Sequence, residues 1–164
     1  MKLNPAKPLC QGALIAALYV ALTWLAALFH LDKGVIQVRI SEALCVLPLF
    51  FPAAIPGLTL GCFLSNLLFG AVPLDIFFGS LATLLGALGT RALRRRPLPA
   101  LLPPILANAL IVPWVLRFGY GAPDAIWFMV LTVGAGEVLS VGVLGGALLA
   151  ALRSRLGGLA PSAE

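Results

Sequence analysis

The chain has 164 residues, 61% of them hydrophobic and only 10% charged, with a mean hydropathy of +1.06. That leaves too little polar surface to cover a soluble globule of this size, and it marks an integral membrane protein. The net charge of +5 does not point to nucleic acid, because the basic residues fall at the ends of apolar runs rather than among exposed aromatics.

Six apolar segments can be drawn, with no soluble extension or long linker, so one integral-membrane domain over residues 1–164 is expected. The first runs from Leu9 to Leu31. It follows Lys2 and Lys7 like a signal peptide, but it is longer than the usual apolar core of about 7 to 15 residues and lacks a small-x-small site before Asp32, so a retained helix is expected. Ala13, Ala17 and Ala21 form a smooth stripe along it, of the kind that lets helices approach closely, within the bundle or against a partner. Ahead of the second segment, Ile36, Val38 and Ile40 alternate with Gln37, Arg39 and Ser41, a period of two that predicts an extended piece dipping in as a lid. Ser41 reads as a helix cap, with Glu42 in the first turn.

The second and third segments, Ser41 to about Ile55 and Gly57 to Phe69, are short for full spans and share a proline-rich end at Pro48, Pro52 and Pro56. The fourth, Leu74 to Ala92, carries Asp75 at its start as a cap or a ligand contact. The fifth, Leu98 to Phe118, follows the run Arg94-Arg95-Arg96-Pro97. The sixth, Ile126 to Leu152, holds one charged residue, Glu137, about 11 residues or roughly 16 Å from one end. That is close to the midplane of a hydrocarbon core of about 30 Å. A carboxylate there costs on the order of 3 kcal/mol, so it faces a cavity, a partner group or a solute. Gly142, Gly146 and Ala150 on the same segment are expected to pack internally.

Six crossings put both termini on one side. Eight of the eleven basic residues (Lys2, Lys7, Arg91, Arg94, Arg95, Arg96, Arg153 and Arg155) fall on that side, against Lys33, Arg39 and Arg117 opposite. The expected fold is therefore an all-α membrane protein, a compact bundle of six transmembrane helices in a cell membrane with both termini cytoplasmic.

Counting up from the cytoplasmic ends places Glu42, Asn66, Asn108 and Glu137 at one level, roughly 14 to 20 Å deep. Asp75 lies higher, and Arg39, Arg117, Trp114, Tyr120 and Trp127 populate the mouth of what reads as an outward-opening pocket. Each has a plainer reading. The asparagines can glue helices together, the aromatics can form an interfacial belt, Arg39 and Glu42 can pair with each other, and Glu137 can bond a neighbouring helix. Cys10, Cys45 and Cys62 are odd in number and make no CxxC, so neither a disulfide frame nor a metal site is expected. No phosphate loop, HExxH or nucleophile-base set is present, and His30 sits alone at the end of the first helix, so the chain is expected to be neither an enzyme nor a cofactor binder.

The stretches VIQVRISEALCVLP, FFPAAIPGLTLGCFLSNL and LDIFFGSLATLLGAL, within Val35 to Thr90, resemble the QueT family. These are membrane-embedded substrate-binding (S) components of energy-coupling factor (ECF) transporters for queuosine precursors. The likeness runs from about Ala13 to Leu152. It implies a six-helix bundle that captures a 7-deazaguanine such as preQ1, preQ0 or queuine from outside. It also implies docking on a transmembrane coupling subunit through Ala13 and Ala17, with two ATPase subunits supplying energy. On this reading Glu137 accepts from the guanine-like edge, Glu42 or Asp75 meets the amine, Asn108 or Asn66 meets the O6 carbonyl, and an aromatic stacks on the ring. The competing expectations are a proton-coupled stand-alone carrier titrating Glu137, and an S component for a flavin or pterin.

Overall fold

The computed structural model describes residues 6–30 and 37–155. Among these the secondary structure is helical throughout, with no strand. Helix α1 spans Ala6–Leu28. A 3-10 helix, Ile40–Leu49, leads through the Pro52 turn into α2, Ala54–Leu68. Helix α3 is Pro73–Ala92, and a 3-10 turn, Pro99–Leu101, opens α4, Leu102–Phe118. The last stretch is α5, Ile126–Glu137, a π segment, Val138–Gly145, and α6, Gly146–Arg155. Four stretches are long and apolar enough to cross a membrane: Ala6–Leu28, Pro73–Ala92, Pro99–Phe118 and Ile126–Arg155; Ile40–Leu49 and Ala54–Leu68 are shorter. The turn Asp32-Lys33-Gly34, the first part of the expected extended piece (Val35 and Ile36) and Lys2 lie outside the described residues.

The short 3-10 helix is the centre of the molecule. Ser41 to Leu49 are all buried, and the helix packs against α1, α2, α3, α6 and the π segment. Winding at about 2.0 Å per residue instead of 1.5 Å lets ten residues reach about 20 Å. Its far end is tied down by Arg91, whose Nη1 donates to the carbonyls of Pro48 (3.1 Å) and Leu49 (3.3 Å).

Around this plug, successive long helices are neighbours: α1 on α2, α2 on α3, α3 on α4 and α4 on α5. Glycine makes the close seams. A Cβ on Gly57 would come 2.7 Å from the Gly12 carbonyl, and one on Gly61 would come 2.7 Å from Tyr19 Cβ. This is a GxxxG contact with α1. Gly86 plays the same part against Pro104, where a Cβ would come 2.7 Å from Cα. Left-handed glycines close two turns, Gly70 (φ 72) before α3 and Gly121 (φ 68) before α5.

Two sequence readings are corrected. Ser41 is not a cap, since the helix begins one residue earlier with extended Arg39 (φ −97, ψ 99) at the N-cap and no side-chain cap bond. The Ser41 hydroxyl instead receives a bond from Thr23 Oγ1 on α1 at 2.9 Å. Gly142, Gly146 and Ala150 are not the packed stripe of the last stretch. The π segment adds a residue to the turn and brings Gly145 inward, where a Cβ would meet Val46 Cγ1 at 3.2 Å and the Ala43 carbonyl at 3.3 Å, whereas Gly146 has open space.

Candidate functional site

Polar side chains from α1, the 3-10 helix, α3, α4 and α5 converge around Arg39. On the floor, Glu42 is fully buried and both its oxygens are taken. The Tyr19 hydroxyl of α1 donates to Oε1, and Cys45 Sγ, one turn along, donates to Oε2 at 3.0 Å. Glu137, the last residue of α5 and 6% exposed, faces the Asn108 side chain of α4, with Glu42 and Arg39 as electrostatic neighbours. Asn108 Nδ2 and Glu137 Oε2 are buried without a hydrogen-bond partner.

Nearer the end of the bundle where α3 begins, Asp75 is 5% exposed. Its Oδ2 receives the Tyr120 hydroxyl at 2.9 Å and lies 3.8 Å from Arg39 Nη2. Its Oδ1 is buried and unpartnered. The N-cap of α3 is Val72, with no side-chain cap bond, so the Asp75 carboxyl serves this cluster rather than the helix end. Burial and the Asp75 carboxylate push the Tyr120 phenol up to about 12, which keeps it a donor. Asn66 Nδ2 donates to the Asp75 carbonyl at 3.0 Å and ties α2 to α3. A cavity of about 220 Å³ is bounded by Thr23, Arg39, Asn66, Asp75 and Tyr120. This is below the range of about 300 to 1,000 Å³ usual for drug-sized ligands, and it suits a small solute.

The lid expected from the period-two pattern has a counterpart in Gln37 to Arg39, which is non-helical. It is laid down on the last stretch at two points. The Arg39 N–H donates to Ser140 Oγ at 3.1 Å, and the Gln37 carbonyl rests against Gly136, where any Cβ would collide with it. Gly136 is therefore required by the path of the chain over Glu137.

The structure thus sets Arg39, Asn66 and Asp75 on the cavity wall, while Glu42, Asn108 and Glu137 form a buried polar set next to Arg39 that does not border that cavity. Trp114 and Trp127 are 50% and 68% exposed. Trp114 stacks on Phe118 at 6.1 Å and lines an apolar groove with Leu74, Phe78 and Leu110; Trp127 lies edge-on to Phe128. Arg117 closes its own loop by donating to the Ala122 carbonyl at 2.9 Å. Ala13, Ala17 and Ala21 are exposed, while the opposite face of α1, with Ile15, Ala16 and Tyr19, is buried. Sequence reasoning missed Tyr19, Thr23, Cys45 and Ser140. The polar signal was there in Tyr19 and Thr23, two hydrogen-bonding residues four apart on an apolar helix and hence on one face.

The profile of the QueT transporter family matches residues 9–154. A curated relative, the queuosine precursor transporter QueT of Lactococcus lactis subsp. cremoris (strain MG1363), is 37% identical over 84 residues, 51% of this chain. The match covers 49% of that relative, so the chain spans about half the length of the curated protein it resembles. No solved structure matches the chain. With the family profile covering nearly every described residue of the helical bundle, the chain belongs to the QueT transporter family.

Proposed function

We propose that the chain is the substrate-binding component of an ECF-type importer for a queuosine precursor, a 7-deazaguanine taken from outside the cell. The observation that carries this reading is a set of three buried, unpartnered polar atoms around Arg39: Asp75 Oδ1, Asn108 Nδ2 and Glu137 Oε2. Leaving a buried polar atom unpaired costs about 1 to 3 kcal/mol; Asn108 and Glu137 face each other, so Asp75 Oδ1, on the cavity wall, is the atom that most calls for a solute, and the reading extends that solute to the Asn108–Glu137 pair. The solute must offer donors to two carboxyls and an acceptor to one amide. A 7-deazaguanine does so: its N1–H and 2-amino group suit Glu137, its O6 suits Asn108 Nδ2, and an aminomethyl cation suits Asp75. Three carboxyl groups, Glu42, Asp75 and Glu137, oppose the single guanidinium of Arg39, an imbalance that favours a cationic solute. With both oxygens engaged, Glu42 braces the floor, and Tyr120 is the aromatic best placed to stack at the mouth.

The remaining parts of the proposal follow from charge and packing. One domain sits in the cell membrane with both termini cytoplasmic, as the distribution of Lys and Arg supports. The exposed stripe of Ala13, Ala17 and Ala21 docks on the transmembrane coupling subunit, whose two ATPase partners supply the energy. Binding is tested by thermal shift of the detergent-purified protein with preQ1, preQ0, queuine, guanine, riboflavin and a pterin. Stabilisation by a 7-deazaguanine above the others is expected, and a response confined to riboflavin or the pterin would replace the substrate. Docking is tested with Ala17→Trp, which should leave solute binding by the isolated protein unchanged and abolish uptake by cells. Normal uptake would remove the stripe from the interface, and uptake driven by protons without ATP would favour the stand-alone carrier.

A further inference from the structure

At the end of the bundle opposite the polar cluster, α3 finishes in a run of guanidiniums to which the transport reading gives no role beyond topology. Arg91, Arg94 and Arg95 border an open groove of about 500 Å³ whose remaining walls are Leu88 and Ala92. The sequence places Arg96 and Pro97 immediately after, and Arg94, Arg95 and Arg96 are all exposed. Arg91 is committed to the end of the 3-10 helix. Among the described residues, none of Arg94, Arg95 and Arg96 is paired with a carboxylate, the one ion pair being Arg39 with Asp75. The four described carboxyl residues, Glu42, Asp75, Asp124 and Glu137, belong to the middle or to the other end of the bundle.

Like-charged side chains held this close repel one another, and an anion that neutralises them is bound with the repulsion relieved. The shape of the groove narrows the anion. Leu88, one helical turn inside Arg91 and 48% exposed, offers an apolar wall just below the guanidiniums, as does Leu98 (73% exposed) on the following strap. Charge at the rim and hydrocarbon beneath it is the profile of a phosphodiester headgroup with its acyl chains, at the depth where an apolar helix leaves the membrane.

We propose that the groove at the α3–α4 turn is a headgroup site for an anionic phospholipid, bound through Arg94 and Arg95 with an acyl chain along Leu88. The occupant is taken to be a membrane lipid rather than an acidic protein loop because the groove is continuous with the lipid-facing side of α3, where Leu81, Leu85 and Leu88 are exposed in register.

The test is native mass spectrometry of the full chain released from mixed micelles holding phosphatidylglycerol and phosphatidylcholine of identical acyl chains. Retention of phosphatidylglycerol over phosphatidylcholine by about tenfold is expected, falling to near parity in the double variant Arg94→Gln/Arg95→Gln. The variant Arg94→Lys/Arg95→Lys, which keeps the charge, should retain most of the preference and guards against a folding artefact. Equal retention of the two lipids by the unmodified chain, or a preference unaltered in the glutamine variant, would overturn the proposal. Glycerol phosphate supplied in place of the lipid should displace it poorly. Full displacement would show that a free phosphate suffices and would remove the lipid from the assignment.

Discussion

The seam between α1 and α2 and the polar cluster around Arg39 treat their buried groups in opposite ways. In the seam, Gly57 and Gly61 let the α1 backbone approach so closely that a single added carbon would come 2.7 Å from the Gly12 carbonyl or Tyr19 Cβ. Its polar groups are internally satisfied, as with Ser65 Oγ donating to the Gly61 carbonyl at 2.7 Å. In the polar cluster, Asp75 on the cavity wall and Asn108 and Glu137 behind it each keep a buried atom without a partner. The difference teaches that the bundle can pack dry and satisfied where it needs only stability, and on the proposed reading the unpartnered atoms are left for a solute.

The comparison breaks most violently at the seam. Gly61→Leu places a side chain into Tyr19, and with it into the residue that holds Glu42. Overpacking of a dry contact of this kind costs about 3 kcal/mol, so the thermal midpoint in detergent should fall steeply and solute binding should go with it. A midpoint close to that of the unmodified protein would mean that α1 and α2 do not meet at Gly61.

In the polar cluster the expected order reverses, with binding lost and the fold kept. Glu137→Gln conserves shape and should weaken solute binding by at least about 1.5 kcal/mol while leaving the midpoint of the empty protein unchanged or raised, since a buried carboxyl is replaced by a neutral amide facing Asn108. Affinity measured by calorimetry and found intact would take Glu137 out of the site. Tyr19→Phe separates brace from ligand contact. It removes one bond to Glu42 and should lower stability by about 1 to 2 kcal/mol, with a smaller loss of affinity than Glu137→Gln. A larger loss would make Glu42, rather than Glu137, the principal solute contact.

How much of this was legible in the sequence follows from what hydropathy encodes. The apolar segments and their proline and glycine breaks are compositional, and they recur as helices within a few residues of the expected bounds, except that the second ends at Leu49 rather than about Ile55 and the next helix begins at Ala54. The intramembrane charges were legible because each stands alone among apolar neighbours, and Glu42, Asn108 and Glu137 do gather. The winding of the helices was not. A uniformly apolar run reads alike whether its bonds go to the third, fourth or fifth residue back, so neither the 3-10 plug nor the π segment at Val138–Gly145 left a pattern. Nor did the count of levels show that Asn66 would spend its amide on the Asp75 carbonyl, a bond between neighbouring helices that hydropathy does not record. Trp114 and Trp127 have the right height for a mouth or for an interfacial belt, and only helix rotation, invisible to hydropathy, decides which; their exposure fits the belt.

The smallest effect probes that rotation directly. Because the π segment turns Gly145 inward and leaves Gly146 with nothing within 4 Å, two adjacent glycine-to-alanine changes should differ in sign. Gly146→Ala adds a methyl group in open space and gains helix propensity, so stability should hold or rise by up to about 1 kcal/mol. Gly145→Ala puts its methyl 3.2 Å from Val46 Cγ1 and 3.3 Å from the Ala43 carbonyl, and stability should fall by about 1 kcal/mol as the 3-10 helix gives way. Unfolding midpoints of the pair measured side by side read the register. The opposite order would restore an unbroken α-helix through Glu137, and with it the packed stripe of Gly142 and Gly146 that the sequence suggests. It would also swing Ser140 off the Arg39 N–H, so the path of the chain over Glu137 depends on a winding that these two methyl groups can measure.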